Sequence, residues 1–128
     1  MAFFEVFHSK IHRATVTEAD LNYKGSVTID KVLLKASGMF PHMRVQVLNI
    51  STGARVETYV IEGKENSGVI CLNGAAARHF QPGDLVIIIA YTFLTPNEIE
   101  GFTSKTVLVD ENNKIIEVLE QTIQGYFH

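Results

Sequence analysis

The segment LVIIIAY, residues 85–91, carries an apolar or aromatic side chain at every position. Its β-branched residues favour a strand, and a strand without polar alternation is typical of one that is buried on both faces. A chain this short can bury both faces only by closing its sheet into a barrel or by recruiting other subunits, because its predicted helices are too short to form a covering layer. The sequence therefore predicts a mainly β fold, a small closed β-barrel with short helices that oligomerises.

Other β-rich runs, separated by turn residues, surround this segment. RVQVLNI (44–50) and RVETYVI (55–61) flank the turn STGA, which predicts a hairpin. SVTI (26–29) and GVICL (68–72) predict two more strands. The run KTVLVDENNKIIEVLE (105–120) predicts either two strands around DENN or one strand followed by a fraying tail.

Three short helical segments are predicted between the strands. In DKVLLKASGM (30–39), Asp30 is the expected N-cap and Gly38 the expected stop. AAARHF (75–80) predicts a helical turn, followed by the tight turn QPGD before residue 85. TPNE (95–98) has the capping-box pattern, with proline at the first helical position.

Composition restricts the class of protein. The 128 residues are expected to form one domain, and the formal charge of −3 argues against nucleic-acid binding. No run of 18 apolar residues predicts a membrane span, and the first residues lack the pattern of a signal peptide. Cys71 is the single cysteine and lies in an apolar run, so we expect a buried thiol in a reduced, cytoplasmic protein. The five histidines lack metal-ligand spacing, and no metal site is predicted.

Five short motifs occur in a characteristic order: KIHR (10–13), NYKGS (22–26), RVETY (55–59), NGAAA (73–77) and PGD (82–84). Taken alone, Gly25-Ser26 would be interpreted as a turn or linker. With all five in register, residues 7 to 100 resemble the pyruvoyl-dependent aspartate 1-decarboxylases, and the chain after about residue 105 matches them only loosely.

The resemblance implies a proenzyme that cuts itself between Gly25 and Ser26. Ser26 Oγ would attack the preceding carbonyl, and elimination would then convert residue 26 into a pyruvoyl group. The products would be a β chain of residues 1–25 and an α chain of residues 26–128. The pyruvoyl ketone forms a Schiff base with the amine of L-aspartate, which loses CO2 to give β-alanine for pantothenate biosynthesis. The implied fold is a double-psi β-barrel, assembled as a homotetramer with active sites between subunits, and some relatives use a maturation partner.

The same resemblance assigns roles to residues on two strands. Lys10 and Arg55 would bind the two substrate carboxylates, and Tyr59 would donate a proton after CO2 leaves. Thr58 would hydrogen-bond the Gly25 carbonyl during self-cleavage. On a regular strand Thr58 and Tyr59 point to opposite faces, so their joint action requires a bulge or a second subunit.

The NGAAA motif would line the site. Its asparagine is expected to act in both self-cleavage and substrate binding, and its small residues let the backbone approach a small ligand; the set is Asn73, Gly74, Ala75 and Ala76. His12 and Tyr23 flank the site in the resemblance, with hydrogen-bonding roles in self-cleavage.

Two other functions remain open. A non-catalytic barrel that serves as a recognition or DNA-binding module would stay intact after purification, although the acidic charge weighs against DNA. A pyruvoyl enzyme acting on another acidic amino acid is the second, because a pocket rejects the extra methylene of glutamate by only about 1–3 kcal/mol.

Overall fold

The computed structural model describes residues 2–23 and 25–127, so that Lys24 of the NYKGS motif lies outside the described residues. Nine strands within these ranges join into one sheet. Their bounds are β1 Phe4–Thr15, β2 Glu18–Asp20, β3 Ser26–Asp30, β4 Arg44–Asn49, β5 Arg55–Gly63, β6 Ile70–Asn73, β7 Leu85–Leu94, β8 Thr103–Val109 and β9 Ile115–Thr122. The prediction of a mainly β fold is confirmed.

The order of the strands forces the sheet to curl. The order is β2-β6-β3-β5-β4-β7-β1-β8-β9, which separates β2 from β1 by six strand spacings, or about 29 Å in a flat sheet. Only Val16 and Thr17 connect these two strands, and they span at most about 11 Å. The Thr17 N–H donates to Ile70 O at 2.8 Å, which ties the connection to β6. The two halves of the sheet therefore wrap around a common core.

The core lies on the concave face of the curled sheet. Fully buried aliphatic side chains from β1, β3, β4, β5, β6 and β7 fill it together with Leu33 of the first helix. Along β7 the buried residues are Val86, Ile88 and Ala90, whereas Ile87 and Ile89 are only half-buried. The expectation that this segment is buried on both faces is thus met on one face only, because residues 2–23 and 25–127 leave the outer face partly exposed.

The local predictions for helices and turns are confirmed. Helix α1, Lys31–Ser37, begins with the Asp30 side chain accepting from the Val32 N–H at 2.8 Å, and ends at Gly38 with φ +81°. A 3-10 helix spans Gly74–His79, and α2 spans Pro96–Ile99 with its capping box formed. Strands β4 and β5 form the predicted antiparallel hairpin.

The C-terminal run forms two strands rather than a fraying tail. β8 pairs antiparallel with β9 and parallel with β1. The turn between β8 and β9 is anchored by Asn113, whose side chain accepts from the Thr15 N–H and donates to Thr15 O and Gly68 O, each at 2.8 Å. The sequence did not predict β1, because bulges between Phe7 and Ser9 and between His12 and Ala14 interrupt its alternation.

Candidate active site

Ser26 is the first residue of β3 and is completely buried. It pairs with Asn73 of β6, and the Asn73 Nδ2 group donates a hydrogen bond to Ser26 Oγ at 3.0 Å. The backbone of Ser26 has φ +128°, a value that side-chain-bearing residues rarely adopt. Such a conformation costs about 1–3 kcal/mol, so strain is stored at the residue that follows the Gly25–Ser26 peptide bond.

The backbone of Gly74 lies directly against Gly25, the residue that precedes the Gly25–Ser26 bond. A Cβ atom on Gly74 would lie 2.8 Å from Gly25 N, 2.9 Å from Gly25 Cα and 3.0 Å from Tyr23 O. Gly74 also has φ +66°. Only glycine satisfies both conditions, so this position brings β6 and the Gly25 backbone into contact.

The position of Gly25 has room for a side chain. A Cβ placed there would meet no described atom within 4 Å apart from its chain neighbours. A positive φ is observed at Ser26, and the close approach to the Gly25 backbone is made by Gly74. Ala75 and Ala76 follow in the 3-10 helix, the first exposed and the second half-buried, and lead the chain away from the junction.

A polar network holds the side chain of Asn73, which is itself 3% exposed. Its Oδ1 accepts from Cys71 Sγ at 3.2 Å, and its Nδ2 donates to Thr28 Oγ1 at 3.1 Å as well as to Ser26. Cys71 is buried, as predicted, and burial with the nearby Glu18 charge raises the pKa of its thiol to about 11. Sequence reasoning missed its contact with Asn73, which the spacing of two residues along one strand could have indicated.

Tyr59 lies beside the junction on the neighbouring strand β5. The parallel pair Val27–Val60, continued by one residue, sets Ser26 next to Tyr59. Tyr59 is 41% exposed, whereas Thr58 is half-buried and faces the same side of β5 as the core residue Val60. The pairing of β5 with β3 and β4 shows no bulge. Thr58 and Tyr59 therefore point to opposite faces of one chain, as the sequence indicated.

The two candidate cations lie on strands other than that of Ser26. Lys10 lies on β1, four strand spacings from β3, which is about 19 Å along the sheet. Its Nζ lies 5.9 Å from the centre of the Phe7 ring. Arg55 is exposed at the start of β5, four residues from Tyr59, and its Nη1 donates to Gln46 Oε1 at 2.6 Å. One chain thus brings Ser26 into contact with Asn73 of β6 and places β5 beside it, whereas Lys10 lies on β1, beyond three strands in the order of the sheet.

His12 and Tyr23 differ in their burial and in their contacts. His12 Nδ1 is the one buried side-chain nitrogen or oxygen without a hydrogen-bond partner in residues 2–23 and 25–127. Burial, and then the charges of Lys10 and Arg13, lower the pKa of His12. The Tyr23 side chain is 52% exposed, and it is the Tyr23 carbonyl that approaches Gly74.

Surface pockets lie apart from the buried serine. A pocket of about 490 Å3 on the outer face of the sheet is lined by Arg44, Gln46, Glu57 and Tyr91 among others. Arg44 forms an ion pair with Glu57 there. No group of three or more potential metal ligands occurs among the described residues, and none of the helices in that part of the chain is long and apolar enough to cross a membrane.

Several known proteins are similar to this chain in sequence or in fold. The profile of a family described as aspartate decarboxylase matches residues 2–116. The aspartate 1-decarboxylase of Carboxydothermus hydrogenoformans is 56% identical over 123 residues, covering 96% of this chain and 97% of the relative. That of Neisseria meningitidis is 57% identical over 110 residues, covering 86% and 87%. Among solved structures, the rationally designed mkDPBB_sym1 protein aligns with 68% of this chain and 99% of its own, at 20% identity and a TM-score of 0.46.

Proposed function

The chain belongs to the aspartate decarboxylase family, and on that premise we propose that it converts L-aspartate to β-alanine and CO2, supplying pantothenate biosynthesis. The observation that carries the proposal is the Gly25–Ser26 junction, where a buried serine with φ +128° receives a hydrogen bond from Asn73. Neither a recognition module nor a DNA-binding barrel has a use for a strained, buried serine in this position. The proposed enzyme is a cytoplasmic carboxy-lyase.

The chain prepares its own reactive group by self-cleavage. Ser26 Oγ attacks the carbonyl carbon of Gly25, the C–N bond breaks, and an ester replaces the peptide bond. Breaking the backbone there releases the strain at Ser26, about 1–3 kcal/mol. Loss of the Cα proton then breaks the Cβ–Oγ bond, which frees Gly25 as a carboxylate and leaves dehydroalanine at position 26. Its imine tautomer takes up water and releases ammonia. The products are residues 1–25 and residues 26–128.

The surroundings of residue 26 fit a small pyruvoyl group. Asn73 offers amide hydrogen bonds directly beside it, and the missing Cβ of Gly74 keeps the neighbouring backbone close. That group supplies a ketone that captures the substrate amine and withdraws the electrons left when CO2 departs. Arg55 offers a planar fork for one substrate carboxylate, and Lys10 a point charge for the other. Tyr59 Oη, on the strand beside Ser26, is the proton donor to the substrate carbon.

The site is completed between copies of the chain. Lys10 lies on β1, which three strands separate from β3 in the order of the sheet. Thr58 and Tyr59 face opposite ways without a bulge, so one chain cannot turn both toward its own Gly25–Ser26 bond. The described residues of the chain also leave the outer face of β7 only half-buried. We infer a homotetramer of double-psi β-barrels, in which a second copy supplies the groups that the first lacks.

The carboxylate clamp also bears on the choice of substrate. Two cations suit a dicarboxylic amino acid, and aspartate is the acid named for the relatives. Glutamate is the alternative to test, because it differs by one methylene and rejection of that group is worth only about 1–3 kcal/mol. A panel of both acids with the purified protein decides between them.

The intact mass of freshly purified protein, measured under denaturing conditions, tests the proposal. We expect two species divided at Gly25–Ser26, the larger lighter by one ammonia than a chain starting with serine. Incubation of the purified chain alone shows whether a maturation partner is required. Ser26→Ala is the control and is expected to remain one full-length, inactive chain. A wild-type chain that stays whole after prolonged warm incubation, with and without cell extract, would contradict the proposal.

A further inference from the structure

We infer that Cys71 and Thr28 are positioning residues, which fix the side-chain amide of Asn73 so that its N–H group points at Ser26 Oγ. The inference rests on the proposed self-cleavage and adds to it two residues that neither the motifs nor the family name single out. Asn73 touches the reacting serine, whereas Cys71 and Thr28 act through Asn73.

The four side chains occupy one face of a two-stranded ladder. β3 and β6 are antiparallel, with Ser26 opposite Asn73 and Thr28 opposite Cys71. Residues two apart on a strand share a face, so each strand contributes its pair to the same patch. Ser26, Asn73 and Cys71 are buried and Thr28 is half-buried, which shields these hydrogen bonds from competing water.

The network holds the Asn73 side-chain amide at both its oxygen and its nitrogen. Its oxygen accepts from Cys71 Sγ at 3.2 Å, and its nitrogen donates to Ser26 Oγ at 3.0 Å and to Thr28 Oγ1 at 3.1 Å. An amide rotated by half a turn would place its N–H donors against the thiol hydrogen and its oxygen against Ser26 Oγ. The thiol donor therefore favours the orientation with Oδ1 toward Cys71, and Thr28 Oγ1 holds it by accepting from Nδ2.

The thiol is suited to this role because it keeps its proton. Burial, and secondly the charge of Glu18, raise the pKa of the Cys71 thiol to about 11. Glu18 is the partner of Cys71 in the pairing of β2 with β6. At neutral pH the Cys71 side chain is consequently a hydrogen-bond donor, and not a thiolate nucleophile.

The selected orientation favours attack by Ser26. With Asn73 donating, the hydroxyl hydrogen of Ser26 is free to leave toward a base. Negative charge that develops on Oγ during the attack strengthens the hydrogen bond from Nδ2. In the reversed orientation, the asparagine oxygen would accept the hydroxyl proton and oppose that charge.

The rate of self-cleavage, followed by intact mass from freshly synthesised full-length chain, tests the inference. Cys71→Ala and Thr28→Val each remove one hydrogen-bonding group and are expected to slow cleavage about 2- to 12-fold, the factor to which about 0.5–1.5 kcal/mol converts at 25 °C. Cys71→Ser replaces the thiol by a hydroxyl donor and Thr28→Ser keeps the hydroxyl, so both are expected to cleave within about twofold of the parent. Thermal midpoints of all four variants, measured in the uncleavable Ser26→Ala background, separate this effect from a loss of stability.

Two outcomes would overturn the inference. Parent-like cleavage of Cys71→Ala and Thr28→Val would show that the amide needs no fixing, and equal slowing by Cys71→Ser would show that size matters rather than the donor. If Cys71→Ala fails to fold, Thr28→Val decides, because valine preserves the shape of threonine. If the proposed function itself is wrong, the parent chain would not cleave at all. That result is distinguishable from a failure of this inference, in which the parent chain cleaves.

Discussion

Gly74→Ala tests the closest contact in the candidate site. The added Cβ would lie 2.8 Å from Gly25 N and 2.9 Å from Gly25 Cα, closer than real Cβ contacts, so the backbone must move. Alanine at φ +66° costs about 1–2 kcal/mol by itself, and forced overpacking adds about 1–3 kcal/mol. We expect a total loss of about 2–5 kcal/mol in the free energy of unfolding.

Gly53→Ala is the matched control. Gly53 has φ +78°, yet a Cβ there meets nothing within 4 Å, so its substitution carries the conformational cost alone, about 1–2 kcal/mol. Denaturant unfolding of both variants in the uncleavable Ser26→Ala background isolates the contact as a difference of about 1–3 kcal/mol. In the cleavable chain, displacement of Gly25 from Ser26 Oγ by about 1 Å slows self-cleavage about 100-fold. Equal destabilisation by the two variants, or normal cleavage of Gly74→Ala, would refute this reasoning.

The remaining predictions concern turnover and pH. Tyr59→Phe is expected to cleave normally but lose at least about 100-fold in kcat, since only its proton-donating hydroxyl is removed; unchanged turnover would exclude it as the acid. Arg55→Ala is expected to lower kcat/KM about 10- to 150-fold by removing a charge-assisted contact, whereas Arg44→Ala, whose guanidinium pairs with Glu57, serves as control and changes it little. Equal effects of the two arginine substitutions would place the clamp elsewhere. Because burial lowers the pKa of His12 in the folded state, the unfolded chain binds more protons below its ordinary pKa of 6.5, and stability falls as the pH drops through that value. Urea unfolding of His12→Gln across this range should show a smaller fall, and an identical pH profile would contradict the assignment.

Short-range patterns in the sequence determined much of the fold. The β4–β5 hairpin, the Asp30 cap, the Gly38 stop and the capping box at residues 95–98 all formed as expected. Each depends on side chains within a few residues of one another, so the interactions that form it can be inferred from the linear sequence. Strand β1 escaped prediction for the same reason, because two bulges break the local alternation from which a strand is inferred.

The motif order supplied the candidate residues, but only tertiary structure decided which of them meet. Ser26 and Asn73 are 47 residues apart and become partners because β3 lies against β6 in one register. The same register turns an apparently inert core cysteine into a hydrogen-bond donor to Asn73, and it brings Gly74 against the Gly25 backbone. In the order of the sheet, three strands lie between β3 and the strand β1 that carries Lys10. Local sequence sets which strands form, whereas strand order is decided by burial of the whole core at once, and the site depends on that order.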